Sequence, residues 1–216
     1  MTQKAEPFKS SNLSVGVAIM LQTCVRCFGV KWLGSDVSFE WRDKNLKLPV
    51  TDLRVLGIDP GLTRMGWGVV EQAGGTLNPL ASGTLVSSPG EHAGRLRTIF
   101  TGLQGLIATW GPGAVAVEKV FLKINLNTGV ASIQAAGIAM LAAALADVAV
   151  HEYSPAQVKL AVVGNGSATK DQVQFMIRRL LGAAAVPDTA DAADALAVAV
   201  THLNSQSIIA MSEASR

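Results

Sequence analysis

The chain has 216 residues, 49% of them hydrophobic and 16% charged, with a formal net charge of +2. That composition supports one domain with a substantial core, and it excludes a disordered chain. With only Cys24 and Cys27 present, it also excludes a disulfide-stapled framework.

The first fifty residues differ from the rest. Residues 1–52 hold seven Lys/Arg and five Asp/Glu, while residues 53–216 hold eleven of each. Net charge therefore gives no argument for a nucleic-acid partner, and any basic binding surface must be local. An apolar run from Val15 to Leu21 follows Lys4 and Lys9, but no small-residue cleavage site follows it. Gln22, Thr23, Arg26 and Lys31 interrupt it well short of the ~20 residues that span a bilayer. No membrane anchor is expected, and the location expected is the cytoplasm. The Cys24-x-x-Cys27 pair lacks both a surrounding βαβ pattern and further ligands, so it reads as incidental. Residues 35–52 form a charged connector containing Pro49. The expectation is that residues 1–50 are an extension, poorly ordered or upstream of a true translation start near Val50. The working domain is expected at 53–204 and a tail at 205–216.

From Leu53 the pattern becomes regular. Leu53 to Asp59 is an aliphatic run stopped by Pro60-Gly61, a buried strand and a tight turn. Met65 to Glu71 and Thr76 to Val86 read as two more strands, joined as a hairpin through Ala73-Gly74-Gly75. Between Glu91 and Trp110 the residues Leu96, Ile99, Phe100, Leu103, Leu106 and Ile107 fall on one helical face, and Gly111-Pro112-Gly113 ends the helix. Ala114 to Glu118 has no polar alternation, as expected of a central parallel strand.

Residues 125–146 predict an alanine-rich helix in which Val130, Ile133, Gly137, Leu141 and Leu145 share a stripe. Val148 to Tyr153 is a fifth strand, and Ser154-Pro155 opens a helix at its cap and first turn. Two or three further helices complete the chain. The order βββαβαβ plus helices predicts an α/β fold with a mixed five-stranded sheet, a three-strand meander joined to parallel strands and flanked by helices.

Four acids interrupt apolar surroundings: Asp59 after Val-Leu-Gly-Ile, Glu118 after Ala-Val-Ala-Val, and Asp191 and Asp194 within Ala-Asp-Ala-Ala-Asp-Ala-Leu-Ala. A buried carboxylate loses several kcal/mol of hydration unless a positive group compensates. Few Lys or Arg adjoin these acids in sequence, so a shared divalent cation is the economical explanation, and Mg²⁺ suits hard carboxylate oxygens. Asp59 and Glu118 would project from the carboxyl ends of adjacent strands, where open α/β sheets place ligands. Asp191 and Asp194 form an i, i+3 pair on one helix face, with Leu196, Val200 and Leu203 on the other. Plainer readings compete: Asp59 as a turn cap, and Asp191 and Asp194 as first-turn acids on the helix dipole. Asp188 fits that capping role better than either. Glu118 is harder to dismiss, because its strand offers no exposed face.

The segments Leu-Gly-Ile-Asp59-Pro-Gly-Leu-Thr-Arg-Met-Gly66-Trp-Gly68, Val-Glu118-Lys-Val-Phe121 and Asp191-Ala-Ala-Asp194-Ala-Leu-Ala-Val-Ala-Val-Thr-His202 occur in this order. Together they resemble the RuvC family of Holliday-junction resolvases over residues 53 to about 204. The resemblance implies a ribonuclease-H-like fold, a homodimer, and paired Mg²⁺-dependent incision of four-way DNA junctions in recombination and repair. It makes Asp59, Glu118, Asp191 and Asp194 both the catalytic residues and the ligands of two Mg²⁺ ions per subunit, for which Mn²⁺ can substitute. It also implies RuvA and RuvB as partners. Some members carry His where Asp191 stands, and Lys119 replaces a frequent Gln.

The chemistry that such carboxylates permit is two-metal phosphodiester hydrolysis, leaving a 5′ phosphate and a 3′ hydroxyl. By the same resemblance Phe121 stacks on an unpaired junction base, while Lys159 and Lys170 contact the DNA backbone. From the residues alone, Phe121 reads equally as core, and Thr169 with Gln172 has capping-box spacing that makes Gly164 to Thr169 a simple helix lead-in. Arg178 and Arg179 read as a solvated face; His202 and Trp67 read as packing. Asp59-Pro-Gly is also similar to the first phosphate turn of actin-like ATPases, but ~160 residues leave no room for their second nucleotide-binding domain. A catalytically silent junction-binding module would be expected to lack one of the acids. An RNA-directed nuclease of the same fold stays open.

Overall fold

The computed structural model describes residues 30–33, 36–39, 53–121, 126–182 and 189–214. Cys24, Cys27 and Asp188 lie outside the described residues. Val30–Leu33 (β1) and Asp36–Phe39 (β2) pair antiparallel as a small two-stranded unit, a hairpin that the sequence pattern of the first fifty residues did not announce. It belongs to a separate compact unit from the remainder of the chain.

The second unit is built on Leu53–Asp59 (β3), Arg64–Ala73 (β4), Thr76–Val86 (β5), Ala114–Glu118 (β6) and Ala149–Tyr153 (β7). They form one sheet in the order β5-β4-β3-β6-β7. β3 pairs antiparallel with β4 and parallel with β6, and β6 pairs parallel with β7. This is the expected meander joined to parallel strands. Gly74 and Gly75 make the β4–β5 turn at φ of 58° and 82°, a left-handed backbone that favours glycine.

The helices are His92–Trp110 (α1), Leu126–Ala144 (α2), Pro155–Val163 (α3), Lys170–Leu181 (α4) and Ala190–Ala214 (α5). Three of them, α1, α3 and α4, start or stop for a local reason. The Glu91 carboxylate accepts from the backbone N–H groups of Ala93 and Gly94, and Gly111 closes α1 in the left-handed conformation. Ser154 with Gln157 and Thr169 with Gln172 both form complete capping boxes. The lead-in reading of Thr169 therefore holds, and it sets Lys170 on the first turn of α4.

Alternation along the strands sorts the core into two layers. Val55, Val70, Ala114 and Ala116 pack against α3, α4 and α5, whereas Leu56, Ile58, Val69, Val115 and Val117 pack against α1 and α2. Leu196, Val200 and Leu203 are fully buried on α5, as their spacing from the two acids predicts. Trp67 packs on the α1/α2 layer. His202 is buried, shares a 2.8 Å hydrogen bond with the Tyr153 hydroxyl, and stacks obliquely on His151. Burial, then the neighbouring His151, lowers the His202 pKa to about 4.

The stripe along α2 is not the side that this helix buries. Val130, Ile133 and Leu141, with Leu145 one residue past the helix end, are exposed, while Ala135, Ala136, Ala139, Ala142 and Ala143 face the sheet. Small side chains let α2 lie close to its strand layer, and the larger ones are left outside as an uncovered apolar row.

Candidate active site

Parity along two strands decides where Asp59 and Glu118 point. Gly57 and Asp59 share the α5-facing side of β3 with Val55, and Glu118 shares that side of β6 with Ala114 and Ala116. The β3–β6 register runs from Val55↔Ala114 to Ile58↔Val117. Asp59 and Glu118 thus end adjacent parallel strands on one face of the sheet, and α5 brings Asp191 and Asp194 over them.

That approach depends on glycine. A Cβ on Gly66 would lie 2.0 Å from the Asp191 carbonyl oxygen, and one on Gly57 would lie 2.1 Å from that of Ala195. Backbone occupies both spaces, so α5 can sit where it does only because the strands beneath it lack side chains there.

Asp59 lies within reach of the charges of the other three carboxylates. Asp59 is raised from 3.8 to about 7, first by burial and then by the charges of Glu118, Asp194 and Asp191, against the opposing charge of Lys170. Glu118 is likewise raised, by burial first and Asp194 next, while Lys170, a hydrogen bond with Asp59, and Lys159 oppose the rise. At neutral pH and without a cation, the Asp59–Glu118 pair therefore tends to retain a proton.

Two basic side chains partly answer the excess negative charge. Lys170 Nζ lies 2.5 Å from Asp194 Oδ2, and Arg64 Nε donates to Asp191 Oδ2 at 2.7 Å. The scarcity of Lys and Arg beside the acids in sequence does not carry over to space. Pairing raises the Lys170 pKa, chiefly through its hydrogen bond to Asp194. Among the described residues, no three of Asp, Glu, His and Cys are gathered tightly enough to enclose one ion. Four carboxylates in one cleft repel until a cation separates them, and here Asp191 and Asp194 lean on Arg64 and Lys170 instead. The donor set itself, oxygen from four acids and no sulfur or imidazole, suits a hard divalent cation that keeps part of its water.

The remaining predicted residues surround this cleft unequally. Lys159 on α3 is half-buried and close enough for its charge to act on Glu118. Phe121 stands three residues beyond Glu118 and is 56% exposed, so it is not the core residue that its hydrophobicity allows. Arg179 is exposed on α4, and Arg178 is half-buried. Arg64 received no role from the sequence, although it lies five positions from Asp59 at the start of β4; the missing information was the arrival of Asp191, 127 residues away.

The RuvC model, described as crossover junction endodeoxyribonuclease RuvC, matches residues 55–202 of the chain. A protein of that name from Frankia alni is 49% identical over 153 residues, covering 70% of this chain and 78% of its own. Another, from Heliobacterium modesticaldum, is 50% identical over 148 residues, covering 68% and 91%. Among solved structures, T. thermophilus RuvC in complex with a Holliday junction substrate superposes with a TM-score of 0.69 at 34% identity, covering 73% of this chain and 97% of that one. The yeast mitochondrial Holliday junction resolvase Ydc2 shares the fold alone, with a TM-score of 0.55 at 11% identity over 76% and 85% of the two chains.

Proposed function

Because the chain belongs to the RuvC family of crossover junction endodeoxyribonucleases, we propose that Asp59, Glu118, Asp191 and Asp194 hold Mg²⁺ at a phosphodiester of a four-way DNA junction. The carrying observation is one cleft in which Asp59, buried among three further acids, has its pKa pushed up to about 7. The charge of Lys170 offsets this rise only in part, and two Mg²⁺ ions per subunit, or Mn²⁺ in their place, would restore the ionised form. When bound, the metal supplies Lewis-acid stabilisation of charge developing on phosphate oxygens and makes water a competent nucleophile at neutral pH.

The chain's own residues do the rest. Asp59 and Glu118, fixed at strand ends, are the rigid half of the ligand set; Asp191 and Asp194 approach from the first turns of α5. Lys170, 59% exposed beside Asp194, is free to turn its ammonium to a backbone phosphate at the start of α4, where backbone N–H groups also favour an anion. Lys159 supplies positive charge on the Glu118 side. Phe121 offers an exposed ring for stacking on an unpaired base, a contact worth ~1–3 kcal/mol. Cleavage leaves a 5′ phosphate and a 3′ hydroxyl.

Resolution of a junction needs two cuts, and the uncovered apolar row on α2 supports a homodimer that presents two such clefts. Val130 at 46%, Ile133 at 41%, Leu141 at 48% and Leu145 at 64% exposure flank Gly137, against which nothing packs. RuvA and RuvB are proposed as branch-migration partners, and the cytoplasm as the place of action. Among the described residues no helix is long and apolar enough to cross a membrane. Residues 53–204 are proposed as the nuclease domain, 1–50 as an extension, and 205–216, which continue α5 as far as Ala214, as its tail.

The test compares four-way junction, linear duplex and RNA in Mg²⁺ or EDTA, using the full chain and one starting at Val50. Paired incisions near the centre of the junction alone are expected. Glu118→Gln should bind the junction and fail to cut it. Cutting in EDTA, or full activity in that variant, sinks the proposal; preferred cutting of RNA moves it to an RNA-directed nuclease, and binding without cutting to a silent junction-binding module.

A further inference from the structure

The turn after Asp59 is tied down by a network that the nuclease reading does not use. Pro60 to Thr63 joins β3 to β4, with Pro60 and Leu62 buried. Ser87, 1% exposed just beyond β5, fastens this turn at two points. Its hydroxyl donates to the Leu62 carbonyl at 2.5 Å, and its backbone N–H donates to the Thr63 carbonyl at 3.1 Å.

A single hydroxyl proton limits what Ser87 can do. Having spent it on Leu62, the oxygen can only accept from elsewhere, and Arg95 Nε donates to it at 3.1 Å. Arg95 Nη2 also donates to Thr63 Oγ1 at 2.7 Å. One guanidinium thereby closes a ring through the turn, the end of β5 and the first turns of α1. Its planar fork holds both acceptors in fixed relation.

Arg95 is itself mounted on a firm base. Glu91 caps α1 one turn earlier, and Ile99 and Leu103, one and two turns later, are buried against the sheet. The rigidity of α1 is so transmitted to the segment that carries Asp59 at its head.

We propose that Arg95 is a positioning residue for Asp59, acting through Ser87 and Thr63 to fix the Pro60–Thr63 turn so that the Asp59 carboxylate meets Glu118 in metal-binding geometry. The proposal rests on the reading of Asp59 as a metal ligand. A purely structural brace would affect melting temperature alone. A positioning residue must also move metal affinity and the chemical step, and leave junction affinity in place.

The experiment uses the full chain as wild type, Arg95→Ala, Arg95→Lys and Thr63→Val. Mn²⁺ affinity is measured by calorimetry without DNA, junction affinity in EDTA, and the single-turnover cleavage rate with Mg²⁺. Arg95→Ala should lose about 10- to 100-fold in rate with weaker Mn²⁺ binding, since sub-ångström misplacement of a catalytic group has effects of that order. Arg95→Lys should recover part of both losses. Thr63→Val removes one acceptor on an exposed side chain, so it should fold normally and show a smaller loss in the same direction. Junction affinity in EDTA should stay within about twofold throughout, as expected if no phosphate contact is removed.

Unchanged Mn²⁺ affinity and rate in Thr63→Val and Arg95→Ala overturn the proposal. So does a fall in junction affinity equal to the fall in rate, which would make Arg95 a DNA contact. A wild type that binds Mn²⁺ but leaves junctions intact refutes the nuclease reading while the Mn²⁺ comparison still judges Arg95; a wild type that binds no Mn²⁺ refutes both.

Discussion

Asp59→Asn should abolish cleavage and, in the absence of metal, make the protein more stable, by an amount that grows with pH. Burial and neighbouring acids raise Asp59 from 3.8 to about 7. A raised carboxyl binds its proton more tightly in the folded chain, so between those two values the native state holds more protons and stability falls as pH rises. Above about 7 the loss is complete. At 1.36 kcal/mol per unit, a rise of about three units is roughly 4 kcal/mol at pH 8, and relaxation and water entry bring the expected gain of the Asn variant to about 2–4 kcal/mol. At pH 5 only the interval from 3.8 counts, leaving about 1–2 kcal/mol. The assay is urea unfolding of both proteins in EDTA at pH 5 and pH 8. Taking the difference between variants matters, because His202, lowered to about 4, imposes the opposite slope on both: its neutral form is held in the fold, so stability is lost as pH falls from 6.5 towards 4. A variant no more stable than wild type at pH 8, or a gain that shrinks between pH 5 and pH 8, would falsify the claim that Asp59 is an uncompensated buried acid.

Three further outcomes test the packing and charges around the site. Gly66→Ala places a methyl group against the Asp191 backbone and should cost about 1–3 kcal/mol in urea unfolding as well as most of the cleavage rate. Gly68→Ala meets the Leu196 side chain first, at 2.7 Å, and backbone only at 3.1 Å, against 2.0 Å for Gly66, and should be the milder variant, so equal losses in the two would refute the close-approach argument. Lys170→Ala removes the cation paired with Asp194 and should tighten Mn²⁺ binding measured without DNA while slowing junction cleavage; weaker Mn²⁺ binding would show that Lys170 does not compete for the site. Leu141→Asp combined with Leu145→Glu should give a folded monomer by light scattering and circular dichroism, and a persistent dimer would remove α2 from the proposed interface.

Much of this arrangement could be read from the sequence because it rests on local rules. The strand Leu53–Asp59 ends where Pro60-Gly61 ends it, Ala114–Glu118 has the limits that its apolar run defines, and Gly111 stops α1. Pairing of the first strand with the one ending at Glu118 followed from topology, and with it the meeting of two acids. The outward face of α2 was hidden because periodicity shows which residues share a side, not which side is covered. In this helix alanine wins the buried side by allowing a shorter distance to the sheet, and the larger residues are left uncovered. The pairings of Arg64 with Asp191 and of Lys170 with Asp194 were hidden for another reason: each basic residue meets its acid only after α5 has docked, and no spacing along the chain encodes that contact.

Alanine richness in α5, which carries little information as composition, sets the geometry of the cleft. Ala192, Ala193, Ala195, Ala197 and Ala199 are all buried at 2% exposure or less, and Gly57, Gly66 and Gly68 lie opposite this helix. Small residues on both partners bring the helix backbone down to the strands, so the short side chains of Asp191 and Asp194 reach the same space as Asp59. Larger residues would hold packed elements at the usual ~10 Å and withdraw those carboxylates. Lengthening the acids to Glu would not restore the arrangement, since each added methylene adds a rotatable bond and loosens the group that must be held. The close contact has an electrostatic consequence as well: it excludes water from among four like charges, which is what lifts Asp59 so far. The packing that makes the site compact is therefore also what makes it unstable without a cation, and metal affinity and metal-free instability should rise and fall together across substitutions at these small residues.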